Sequence, residues 1–416
     1  MIRLKFMYQQ QMKQGGIIMK YSSKIEKCEL SPMRKFGPFA AAAEKKGKKI
    51  YHLNIGQPDV ATPSVYFDKI KGQDIRTLSY SASQGMSELI DAIVKYYDGI
   101  GASIENKDVL VSNGGSEALQ MAFTAILDDD DEILVPEPYY PNYDTFVKLT
   151  GAKIVPIHTT PEEGYHFADK EKIEKLITNK TRAILFTNPG NPTGLVLTRD
   201  EMKTILDIAK EHGLFVIGDE VYREFVYGGE PLESLLQFPG YEENVIVIDS
   251  VSKRFSACGA RIGCMISRNK ELMAQCMKWC QGRLCVSTLD QIGAAALYSV
   301  GSDYFKSVRE EYKARRDTLV EELKKIPGVI YSEPKGAFYV MAALPVDDAE
   351  KFQYWLLDEF EDNGDTVMFA PAEKFYATPN TGKNEIRMAY VINKDDIKRA
   401  IELLSKGIEA YNAQQK

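Results

Sequence analysis

A lysine stands in the stretch SVSKRFSACGARIG, residues 250–263. Small and polar residues surround it: Ser250, Ser252, Ser256, Gly259 and Gly263, with Arg261 eight positions after Lys253. The apolar run of residues 245–248 comes just before and reads as a buried strand. The serine hydroxyls and the Arg261 guanidinium suit a phosphate. Lys253 lies beside that anion site without being its obvious ligand, so its amine is available for chemistry with a carbonyl. A solvated lysine on an ordinary loop would account for the same residues.

Four other segments have the same form, an apolar strand running into a special turn. After DVLV, residues 108–111, come Gly115, Ser116 and Glu117, which open a helix. Glycines and free N–H groups there suit a phosphate, and so would a plain turn with a serine cap. The nucleotide fingerprints GxxxxGK[ST] and GxGxxG are missing. After EILVP, residues 132–136, come Tyr139, Tyr140 and Tyr143, a face for a flat ring or ordinary core filling. After RAILF, residues 182–186, the rigid turn TNPGNPTG would hold the Asn191 amide toward the strand ends, or would simply be a turn. After LFVI, residues 214–217, Asp219 ends a buried strand, and Tyr222 follows three residues on. A carboxylate in that place is costly unless paired. A protonated ring nitrogen would pair it; a helix cap or a salt bridge would serve too. Together the segments describe one ligand with a phosphate, a flat ring, a protonated ring nitrogen and an amine-reactive group. Pyridoxal phosphate has all four.

The elements that must position these residues alternate. Between about residues 108 and 263, continuous apolar strands are followed by amphipathic helices, which predicts a mostly parallel sheet covered on both faces. Ligands bind beyond the carboxyl ends of such strands. The helix beginning at TRDEMK carries a capping box, Thr198 with Glu201, and a stop at Gly213. After about Ser302 a long charged helix leads to short strands and helices, the texture of a smaller α+β domain. The expected division is an N-terminal extension over 1–30, partly disordered and with Met19 a candidate start; a segment over 31–60 packing with the small domain; a large cofactor-binding domain over 61–305; and a small domain over 306–416.

The chain has 416 residues and a net charge of −7, which argues against a large basic face for nucleic acid. No apolar run is long enough to span a bilayer, and the N-terminus lacks the apolar core of a signal peptide. These features predict a cytoplasmic protein with no membrane partner. Six cysteines in a chain of this length point to buried thiols in a reducing compartment, and Cys276, Cys280 and Cys285 lack the spacing of a metal site.

The motifs NPGNPTG, GDEVY and SVSKRFSACGARIG, in this order, resemble those of class I aminotransferases, the fold-type I pyridoxal-phosphate enzymes, and most closely the aspartate aminotransferase group. The resemblance runs from about Ser31 to the C-terminus. It implies a three-layer αβα large domain with a smaller α+β domain. It implies that Lys253 forms the Schiff base and carries the proton, that Asp219 pairs with the pyridinium nitrogen, and that Tyr222 and Asn191 hydrogen-bond the ring hydroxyl oxygen. Ser250, Ser252 and Arg261 would hold the phosphate, with backbone N–H groups near Gly115, Ser116 and Glu117, and Tyr140 would stack on the ring. Tyr80 matches a tyrosine that reaches the phosphate from the neighbouring subunit, which implies a homodimer with shared sites. Arg387 matches the arginine that grips the substrate α-carboxylate, and Gly56 a glycine lining that site. The implied activity is ping-pong amino transfer between an L-amino acid and a 2-oxo acid, with aspartate and 2-oxoglutarate the first expectation. Alanine, aromatic or other neutral donors, or a lyase reaction on the same fold, are the alternatives. Arg34 is a candidate for the side-chain carboxylate of a diacid if the N-terminal segment closes over the site, and a plain surface arginine would account for it equally.

Overall fold

A computed structural model describes residues 19–228 and 232–415. Of the expected extension, residues 1–18 lie outside the described part. The rest of it includes the short helix Ser23–Glu26, whose Lys24 ammonium donates to the Thr150 carbonyl at 2.7 Å and pairs with Asp129 at 2.6 Å. Those contacts tie it to the rim of the large sheet.

That sheet has seven strands: β2 (Val109–Ser112), β3 (Glu132–Glu137), β4 (Lys153–His158), β5 (Thr181–Thr187), β6 (Phe215–Asp219), β7 (Val245–Ser250) and β8 (Gly263–Ile266). β1 (Lys49–His52) lies elsewhere. The order across the sheet is 2-8-7-6-5-3-4, and every neighbouring pair is parallel except those made by β8. Six strands therefore point one way. β8 was not foreseen in the sequence: its four residues follow directly on the glycine-rich site segment and carry no flanking turn of their own. Side chains alternate between two apolar cores. Val216, Val245 and Val247 face one, while Ile217, Ile246 and Ile248 face the other. Helices cover both, giving three layers. Among them the helix Arg199–His212 has the expected capping box at Thr198 and Glu201, and Gly213 ends it at φ 66°.

A four-stranded sheet forms a separate core. β9 (Ile330–Tyr331), β10 (Tyr339–Ala343), β12 (Ala370–Pro371) and β13 (Glu385–Ala389) lie in the order 12-13-10-9. The helix Ser302–Leu323 joins the two cores: Tyr304 and Phe305 pack on the large one, and Tyr312, Leu319 and Leu323 on the small one. Residues 31–60 lie against the small core. Phe36, Ala40 and Ala43 pack with Leu357 and Met368, and β1 pairs in parallel with β11 (Asp365–Met368). No helix among the described residues is long and apolar enough to cross a membrane.

Candidate active site

The carboxyl ends of β2, β3, β5, β6 and β7 surround a pocket of about 380 Å³ whose far wall comes from the small domain. Fifteen residues named as site candidates in the sequence can be located against it. Gly56, Gly115, Ser116, Tyr140, Asn191, Asp219, Tyr222, Ser250, Ser252, Lys253, Arg261 and Arg387 all line it, and Arg34 stands at its rim. Two do not join them. Glu117 is turned away: its carboxylate accepts from the Asn113 N–H at 2.6 Å and from Arg283 at 2.8 Å, and its own N–H is spent on the Gly114 carbonyl. Tyr80 is 80% exposed and outside the pocket wall of its own chain.

At the floor, Asp219 ends β6 and is buried with no cation at ion-pairing distance among the described residues. Tyr143 donates to its carboxylate at 2.7 Å, and the same hydroxyl lies 2.6 Å from Thr187 on the neighbouring strand. Burial pushes the carboxyl up to about 6, against the pull of the Tyr143 hydrogen bond. Tyr143 therefore works through its hydroxyl and leaves the ring-stacking position to Tyr140, which meets it edge-on at 5.5 Å. Sequence reasoning grouped the three tyrosines as one aromatic face; only Tyr140 lines the pocket.

At one end, the helix Gly115–Ile126 points its first N–H groups into the pocket, and these have no partner within the helix. Gly114 precedes them at φ 76°, and a Cβ there would meet the Arg261 guanidinium at 2.4 Å. Across from it, a Cβ on Gly263 would strike the Gly114 and Gly115 backbone at 2.6–2.7 Å. Both positions need glycine so that β8 and Arg261 can close on the helix end. Ser250 and Ser252 complete this corner, with the Ser252 N–H donating to Ser250 Oγ at 3.1 Å. Lys253 reaches past it, and its ammonium donates to the Gly56 carbonyl at 3.0 Å.

At the other end, Arg387 on β13 is buried without a carboxylate partner among the described residues. Its guanidinium donates to Asn191 Oδ1 at 3.1 Å and to the Asn54 carbonyl at 2.7 Å, while Nε has no partner among the described residues. Asn191 in turn donates to Tyr222 at 3.3 Å. Tyr339 was missed in the sequence. Its hydroxyl lies 3.0 Å from that of Tyr222, and its ring lies 4.5 Å from the Arg387 guanidinium. The register of β10 on β13 puts the two residues diagonally on one face, and nothing local in the chain announces that pairing.

The arrangement fits pyridoxal phosphate. A helix end with two hydroxyls and a guanidinium suits the phosphate, an aromatic wall suits the ring, and a buried carboxylate lacking a cation suits a pyridinium nitrogen. The lysine lies between these and a buried arginine free to take a carboxylate.

Comparison with known proteins agrees. Residues 48–404 match the family described as aminotransferase class I and II. The aspartate aminotransferase of Pyrococcus horikoshii is 31% identical over 88% of this chain and 92% of its own, and that of Bacillus subtilis is 29% identical over 92% and 98%. Among solved structures, an alanine aminotransferase from Pyrococcus furiosus is 32% identical with a TM-score of 0.84, over 94% of this chain and all of its own. The Thermus thermophilus aspartate aminotransferase with maleate is 25% identical at the same TM-score and coverage.

Proposed function

Because the chain belongs to the class I and II aminotransferase family and is therefore a pyridoxal-phosphate-dependent transferase of amino groups, we propose that its donor is aspartate and its acceptor 2-oxoglutarate. The observation that carries this is the number of cations at the pocket. Arg261 and Lys253 are taken by the phosphate and the aldehyde, and Arg387 by the α-carboxylate. Arg34, at the rim and without an ion pair among the described residues, is left for a second carboxylate. The names of several relatives point the same way. The cofactor, when bound, supplies an aldehyde that joins an amine and a ring that takes up the charge left when the α-proton departs.

The chain's own residues do the rest in this reading. Lys253 Nζ takes the α-proton and returns it to the neighbouring carbon. Asp219 keeps the ring nitrogen protonated, and Tyr222 and Asn191 hold the ring hydroxyl oxygen. Arg387 binds the α-carboxylate through a rigid fork, which fixes the bond presented to Lys253. Phe67, Leu78 and Tyr80 are each exposed on this chain, which supports a homodimer that covers them and in which Tyr80 of the partner subunit reaches the phosphate corner. All six cysteines are free thiols, as in a cytoplasmic enzyme.

A neutral donor such as alanine is the second reading, favoured by the 32% identity to the alanine aminotransferase. A panel of amino donors against 2-oxoglutarate, run on the wild type and on Arg34→Gln, separates the two. Aspartate should be the best donor, and Arg34→Gln should lower its kcat/KM by roughly tenfold or more while leaving alanine unchanged. Alanine as best donor, with Arg34→Gln silent, would contradict the proposal.

A further inference from the structure

Behind Lys253 the protein holds charges that the reaction does not touch. Asp249 on β7 and Arg254 are both fully buried, and Arg254 Nη2 donates to Asp249 Oδ2 at 2.6 Å. Tyr97 donates to the same oxygen at 3.0 Å, and the Ser250 N–H donates to the other at 2.8 Å. The guanidinium lies 4.1 Å from the centre of the Tyr96 ring and 6.0 Å from that of Tyr298. Its Nε and Nη1 have no hydrogen-bond partner among the described residues, so only the carboxylate and the rings hold it.

Such a pair is a poor device for stability alone. Desolvating each ion costs several kcal/mol, and apolar residues of similar volume often serve as well or better. Its placement suggests another use. The pair closes over Ser250, Val251, Ser252 and Lys253, the residues between its two partners, and Lys253 and Arg254 belong to the single helical turn Val251–Arg254. Neighbouring side chains in a helix point about 100° apart. Drawing Arg254 into the core therefore turns Lys253 outward, toward the pocket that it lines. The planar guanidinium is held by one bond to the carboxylate and by its face against the Tyr96 ring, a seat that a compact ammonium does not reproduce, so the turn has one favoured orientation.

We propose that Asp249 and Arg254 are positioning residues for Lys253: their ion pair locks the turn that aims Nζ into the pocket and sets Ser250 and Ser252 against the same ligand. This rests on Lys253 being the residue that joins the cofactor, and the test separates the two claims. In the wild-type holoenzyme, borohydride reduction and peptide mass measurement should find the cofactor on Lys253; its absence there would sink the reading of Lys253 itself. The double variant Asp249→Asn/Arg254→Met removes both charges at similar volume. It should unfold cooperatively and keep a KM near wild type, yet lose about a hundredfold in kcat, and the cofactor should attach to Lys253 correspondingly more slowly. Wild-type attachment rate and kcat in the double variant would overturn the proposal. Should the double variant not fold, Arg254→Lys decides. Slowed attachment in that charge-conserving protein supports positioning by the ring-seated guanidinium, and an unchanged rate overturns it.

Discussion

The two sides of the β6–β7 edge treat charge in opposite ways. Facing the pocket, Asp219, Lys253 and Arg387 have no oppositely charged partner at ion-pairing distance among the described residues. On the other side, each charge is matched. Glu220, next in sequence to Asp219, pairs with Arg223 at 3.1 Å and also accepts from Ser234 Oγ at 3.0 Å and the Leu235 N–H at 2.9 Å. Asp249 is likewise closed on Arg254. Adjacent acids on one strand end thus differ in what they lack. A buried charge with all its partners belongs to the frame, whereas one left open at a pocket marks where a ligand must complete it.

The contrast can be broken from the pocket side first. Lys253→Ala should abolish amino transfer and remove the borohydride-trapped cofactor, while the folding stability of the cofactor-free protein stays within about 1 kcal/mol of wild type. Chemical denaturation alongside the activity assay checks both halves. A large loss of stability would mean that Lys253 serves the frame.

On the far side the expectation reverses. Arg223→Met leaves Glu220 buried without its cation and should cost about 3–5 kcal/mol of stability. Adding Glu220→Gln should recover much of that in the same denaturation experiment. Burial already pushes the Glu220 carboxyl up, so the single variant should also hold a proton there more readily. A stable Arg223→Met protein would show that the pair is not structural.

Much of this division was legible in the chain. Apolar strands ending in special turns placed Lys253, Asp219, Asn191, Tyr222 and Arg261 at one sheet edge, because strand period and turn chemistry are local. Arg387 came through the resemblance, not through spacing. What stayed hidden depends on contacts distant in sequence. Asp249 is the last-but-one residue of β7, and nothing nearby in the chain shows that its partner Tyr97 comes from the helix Ser87–Gly99. Tyr339 stands beside Arg387 only because β10 registers on β13. Glu117 sits in the right turn of the helix, but Arg283, from a helix more than 160 residues away, draws it aside.

Asp219 tests the central claim most directly, that an open charge at the pocket waits for the cofactor's. Burial raises its folded-state pKa to about 6, above the unfolded value near 4. The folded protein therefore binds the extra proton, and stability falls as pH rises through that window, by about 3 kcal/mol in all. Asp219→Asn does not titrate there, so the stability difference between wild type and Asp219→Asn, followed from about pH 4 to pH 7, isolates the effect. In the cofactor-free proteins the wild type should lose ground by about that amount as pH rises. With pyridoxal phosphate bound, a protonated ring nitrogen should compensate the carboxylate and the drift should vanish. The same drift with and without the cofactor would contradict the account.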